Sequence, residues 1–238
     1  MKRLLGALKL DITLQKRYGF YYAAAFITIV WITVLSSIPS SYLKLFVPFI
    51  IFVDLGVVGL FFIAGQILFE KSERTLSVLV TTPLTFAQYL ASKVISMTIL
   101  SIIISYIVVI VSYGLRFNYL LLTVGIITTS VICIMTGVIA VAPYSSISNF
   151  IIPSQLYLLI FAMPVFEYVG LLQSPLFYLI PTQGSLLLLK GGFTPIASWQ
   201  VIYAIVYPAG WAYLLYRIAR WRFDYYICLL YTSPSPRD

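Results

Sequence analysis

With seven acidic side chains, two cysteines and no histidine, this 238-residue chain has a small stock of groups for acid–base, thiol or metal chemistry. A histidine-based metal site and a histidine-assisted nucleophile both need imidazole, so neither can be assembled within it. Paired acids that could hold a metal are nearly absent as well. Only Glu70 and Glu73 lie close together, and Arg74 adjoins them. That spacing weighs against an enzyme. Asp54 stands apart in an otherwise charge-free interval, with apolar Ile50 and Val58 four residues to either side. A carboxylate in such a setting is a candidate for contact with a substrate or a proton, or for a structural hydrogen bond. Gln155 is a second candidate for a substrate path, and Gln66 and Asn149 suit hydrogen bonds between helices. Cys133 reads as a small packing residue.

The elements that must hold these residues follow from composition. The chain is 61% hydrophobic and 9% charged; soluble domains are about 45–50% apolar and about 25% charged. Such a chain cannot cover itself with a polar surface, so a soluble enzyme, a disordered chain and a disulfide-stapled secreted domain are excluded. A span needs about 20 residues at about 1.5 Å per residue. The charge-free intervals yield six spans: 20–38, 46–68, 94–113, 119–141, 150–166 and 198–216. The segment 168–189 is broken at Gln173-Ser-Pro175 and again from Pro181 to Gly184. Broken helices survive at membrane depth only when covered by protein or facing water, so this stretch is expected to form a short re-entrant or interfacial helical hairpin.

Basic residues orient the spans. Lys2, Arg3, Lys9, Lys16, Arg17, Lys71, Arg74, Lys93, Arg217, Arg220 and Arg222 fall on one side, and only Lys44, Arg116 and Lys190 on the other. Both termini are therefore expected in the cytoplasm. Residues 1–17 place Leu4, Leu5, Leu8 and Ile12 on one helical face among five basic residues, which suits a helix lying on an anionic leaflet of the bilayer. Many aromatics near the span ends read as interfacial anchors.

The loop between spans two and three carries the most information. Leu76, Leu79, Val80, Pro83, Leu84, Ala87, Leu90 and Ala91 recur at three- and four-residue steps, which makes one apolar face. Pro83 breaks the run, and Thr85-x-x-Gln88 is a capping-box pattern that opens a new helix into span three. The loop thus reads as helix, turn, helix, with its charges at the two ends. Its apolar face must be buried against lipid, neighbouring helices or a protein groove; periodicity alone leaves these open.

The loop string resembles that of ATP-binding-cassette type-2 permeases. The matching residues are Glu70, Glu73, Arg74, Thr75, Leu76, Leu79, Thr82, Pro83, Leu84 and Lys93, with Arg74 where the family usually has a glycine. The stretch Pro181-Thr-Gln-Gly-Ser-Leu-Leu-Leu-Leu-Lys190 is similar to the hairpin of a drug-export, fluoroquinolone-type subgroup. The resemblance implies an all-α integral membrane protein of six transmembrane helices. It adds an N-terminal interfacial helix, a cytoplasmic coupling helix between spans two and three, and an outer re-entrant hairpin before span six. It also implies the plasma (inner) membrane of a prokaryote. Residues 70, 73–76, 79 and 82–84 would couple to a separate ATPase subunit that carries ATP and magnesium. This chain has no Gly-x-x-x-x-Gly-Lys-Ser/Thr loop to cradle phosphates, so no cofactor is expected in it. The expected partners are that ATPase, a second permease chain and the bilayer, with no nucleic acid. A proton- or ion-coupled transporter using Asp54, and a non-enzymatic membrane scaffold, are the alternatives.

Residues 228–238 read CLLYTSPSPRD. They resemble a translated sequencing adapter and are set aside as a scar, which leaves one transmembrane domain over 1–227.

Overall fold

The computed structural model describes residues 2–73, 75, 84–223 and 225. The described residues are helical apart from turns, and they contain no strand. The amphipathic helix α1 (Lys2–Arg17) bends by 65° into α2 (Phe20–Ser36). Gly19 sits at the bend with φ of 78°, a left-handed conformation that glycine adopts without a Cβ clash.

The second rod is longer than the charge-free interval suggests. A 3₁₀ turn at Ser40–Tyr42 runs into α3 (Leu43–Val57), a π-helical turn at Val58–Phe62 and α4 (Ile63–Ser72). Together they form one 33-residue rod from Ser40 to Ser72. Then come α5 (Phe86–Ser112), α6 (Tyr119–Val141), α7 (Ile147–Ala162), the short α8 (Pro164–Tyr168), a 3₁₀ turn at Pro175–Leu179, α9 (Pro181–Gly191) and α10 (Ser198–Phe223). Among the described residues five rods are long and apolar enough to cross a bilayer by themselves, and the bent α1–α2 pair would make six. These rods coincide closely with the six charge-free spans. The start of α5 carries both halves of the capping box: the Gln88 amide donates to Thr85 Oγ1 at 3.3 Å, and the Thr85 amide donates to Gln88 Oε1 at 3.2 Å.

The core is built around α6, the most enclosed of the candidate spans. Close approach needs glycine there. A Cβ on Gly137 would overlap Ile63 Cγ2, and one on Gly59 would overlap Cys133 Cβ. The π turn on the second rod lies at this crossing, where small residues let the two backbones meet.

The hairpin segment takes a deeper position than an interfacial helix would. α9 is buried along almost its whole length, including Thr182, Gln183 and Ser185. It packs between α6 and α10, and a Cβ on Gly125 of α6 would stand 2.9 Å from the Leu189 amide nitrogen. Pro181 occupies its first turn, where a missing N–H costs nothing. α9 thus has the cover by protein that a broken helix needs at membrane depth, whereas residues 169–173, which lead into the first break, are exposed.

Candidate functional site

Helical spacing on three elements builds a buried polar joint at one end of the bundle. Asp11 and Gln15 lie one turn apart on α1. Gln66 and Glu70 do the same on α4. Tyr89, Ser92, Lys93 and Ser96 share one face of α5, and all of these residues are buried. Lys93 Nζ donates to Asp11 Oδ1 at 2.9 Å and to Glu70 Oε1. Ser92 Oγ donates to Asp11 Oδ2 at 2.5 Å, and Tyr89 Oη to Glu70 Oε2 at 3.0 Å. The Gln66 amide reaches Asp11 at 2.8 Å and Glu70 at 3.2 Å. Gln15 extends the network, donating to Ser96 Oγ at 2.8 Å and Gln66 Oε1 at 3.2 Å. Each carboxylate thus accepts three hydrogen bonds and shares the same ammonium. Lys93 also stands 4.6 Å from the centre of the Tyr89 ring. Burying these charges is tolerable only because every one is paired and bonded.

Two further ties fix the same end. Lys71 Nζ donates to the carbonyls of Ala142 and Tyr144 at 2.7 and 2.8 Å, and to that of Val141 at 3.3 Å. A cation thereby closes the C-terminal end of α6, where unpaired carbonyls collect negative charge. Glu73 accepts from Tyr18 Oη at 2.9 Å and pairs with Arg17 at 3.2 Å. Burial, and then the Glu73 hydrogen bond, push the Tyr18 hydroxyl up to about 12, so it remains a donor at neutral pH.

These contacts revise the reading of the loop's charges. Glu70 and Lys93 bracket the loop in sequence, yet both point inward and join each other. Glu70 is 1% exposed and holds the base of the loop. Glu73 is the acid that stays near the surface. Thr75 and Leu84 line a cavity of about 270 Å³ together with Asp11, Glu70, Lys93 and apolar residues of α1. Arg74, Leu76, Leu79, Thr82 and Pro83 lie outside the described residues. α1 meets the bundle through Asp11, Leu14 and Gln15, and leaves Leu5 and Ile12 exposed together with Lys9 and Lys16.

The other two candidates lie away from this joint. Asp54 is on the same rod as Glu70, sixteen residues and about 24 Å distant along the axis. That places it near the middle of the rod rather than at its outer end. It is 4% exposed and accepts one hydrogen bond, from Trp31 Nε1 on α2 at 3.0 Å. Gln155 is exposed on α7 and bonds back to the Ile151 carbonyl at 3.2 Å. No hydrogen bond links Asp54 and Gln155. Sequence reasoning missed Asp11, Trp31 and the inward turn of Lys93. The available signal was that Asp11 is the sole acid in α1, one turn before a glutamine.

Among the described residues no group of histidine, cysteine or acid side chains could hold a metal ion. Apolar rods around a close-packed central helix, with a cluster of paired charges buried at one end, define a polytopic membrane protein. The chain belongs to the fluoroquinolones export permease protein family, whose model matches residues 2–229. It is 38% identical over 230 residues to a fluoroquinolones export permease protein in two strains of Mycobacterium tuberculosis, covering 95% of this chain and 97% of the relative. No solved structure matches the chain at a significant level.

Proposed function

We propose that this protein is the membrane-spanning permease of a drug exporter, driven by ATP hydrolysis on a separate ATP-binding-cassette subunit. The observation that carries the reading is family membership along nearly the whole chain. Its preferred cargo is drugs or other amphipathic compounds, and it acts as a dimer with a second permease chain. Both termini and the loop between the second and third rods face the cytoplasm.

In this reading the loop around Leu76, Leu79, Thr82, Pro83 and Leu84 docks into a groove of the ATPase, with Glu73, Arg74 and Thr75 at its entry. The buried joint supports the mechanics. A loop can transmit force only when its two ends are anchored. Here Glu70 at one end and Lys93 at the other bond to each other and to Asp11 of α1. Movement of the loop would then carry α1, α4 and α5 together as a unit, a rigid-body transition of known type.

The test is co-expression with the candidate ATPase. Leu79→Arg is expected to abolish co-purification of the two subunits and the permease-dependent part of ATP hydrolysis. Unchanged complex and activity would remove the docking role from this face.

A further inference from the structure

The inference that follows rests on the drug-export reading and names the chemistry of its substrate contact. Accounting for the acids isolates one of them. Among the described residues the ion pairs are Arg17 with Glu73 and Lys93 with Asp11 and Glu70. Glu167 and Asp54 are in none of these; Glu167 is partly exposed and accepts from Gln183, whereas Asp54 is buried. Its single hydrogen bond comes from Trp31, and Lys44, the nearest cation along the rod, is ten residues and about 15 Å away. A buried carboxylate without a counter-charge costs several kcal/mol unless it takes a proton or recruits a cation. Among the described residues Asp54 is the one such group, and it lies near the middle of a 33-residue rod.

We infer that Asp54 and Trp31 form a recognition site for the charged centre of lipophilic aromatic cations. The indole N–H holds one carboxylate oxygen, so the group is oriented before a ligand arrives. The indole face adds the attraction of a π system for a cation. Access lies along the seam between α2 and α3. Trp31 is partly exposed, and so are Val53 and Val57 beside Asp54. The neighbouring cavity at Val53, Gly56, Cys133 and Tyr157 is about 50 Å³, far below the roughly 300 Å³ of a drug pocket. The apolar body of the ligand therefore lies outside the helices along this seam, and only a terminal charged group reaches Asp54.

The experiment uses the full chain in lipid nanodiscs and two probes of matched shape with terminal charges, 4-phenylbutylammonium and 5-phenylpentanoate. Empty nanodiscs supply the partition background. Asp54→Asn keeps the acceptor for Trp31 and removes only the charge. It is expected to weaken 4-phenylbutylammonium binding at least about tenfold, or about 1.4 kcal/mol, and to leave 5-phenylpentanoate within about twofold. Trp31→Phe keeps the carboxylate and is expected to cost less than Asp54→Asn. Equal binding of the cation by wild type and Asp54→Asn would overturn the site, as would a parallel loss of both probes. Failure of Asp54→Asn to fold would also overturn it, by making the charge a structural requirement. ATP-driven uptake by the wild type with its ATPase separates the two claims. Uptake with unchanged cation binding in Asp54→Asn removes this site and leaves the export reading. Absence of uptake removes the export reading, while the binding comparison still decides the site.

Discussion

The second rod carries two buried carboxylates in opposite circumstances. Glu70, near one end, shares Lys93 with Asp11 and accepts three hydrogen bonds. Asp54, in the middle, accepts one from Trp31 and has no cation. Both are almost wholly enclosed, so burial does not separate them. Partnering does. A group whose bonding capacity is filled by its own chain has nothing left for a ligand, and its removal damages the fold. A group left short of partners adds little to the fold and retains capacity for something that binds. The first describes a joint and the second describes a site.

The largest expected effect tests the joint. Lys93→Met would leave Asp11 and Glu70 buried together without their shared cation. Breaking a buried pair in this way costs about 3–5 kcal/mol, so the folded fraction recovered by size-exclusion chromatography should fall steeply. Adding Asp11→Asn and Glu70→Gln to the same chain should restore much of it, because the uncompensated charges are then gone. Asp11→Asn alone should be milder, about 1–3 kcal/mol, since Glu70 still neutralises Lys93. Its signature is faster hydrogen exchange along α1, which meets the bundle through Asp11, Leu14 and Gln15. Arg17→Ala removes a largely exposed partner of Glu73 and should destabilise the fold least among the ion-pair variants, by no more than about 1 kcal/mol. Asp54→Asn is expected to melt no lower than wild type, since the Trp31 bond survives and an unpaired buried charge is lost. A loss as large as that of Lys93→Met would erase the contrast between the two acids.

Much of the architecture was legible because charge is scarce in this chain. Six apolar intervals bounded by single lysines, arginines and glycine-rich or proline-rich turns leave little freedom in placing the rods, and Tyr119–Val141 matches its interval end for end. The capping box at Thr85 was equally plain, since it is a local pattern. The joint was not legible. Asp11 lies 82 positions from Lys93, and nothing local marks one as the partner of the other. Glu70 and Lys93 were read as loop-end charges because charges beside a span usually face water. Here three polar faces at helical spacing meet and satisfy one another instead. The depth of α9 was hidden for a related reason: a broken apolar segment suits an interface or a core, and only its contacts with α6 and α10 decide. Asp54 was visible as an isolated acid, but its partner Trp31 resembled the many interfacial aromatics around it.

The most direct test of the account is drug uptake by inside-out membrane vesicles that contain this chain and its candidate ATPase. A fluoroquinolone should accumulate when ATP is supplied, and should not accumulate when the ATPase is omitted or made unable to hydrolyse ATP. Accumulation that follows an imposed proton or ion gradient in the absence of the ATPase would contradict the account.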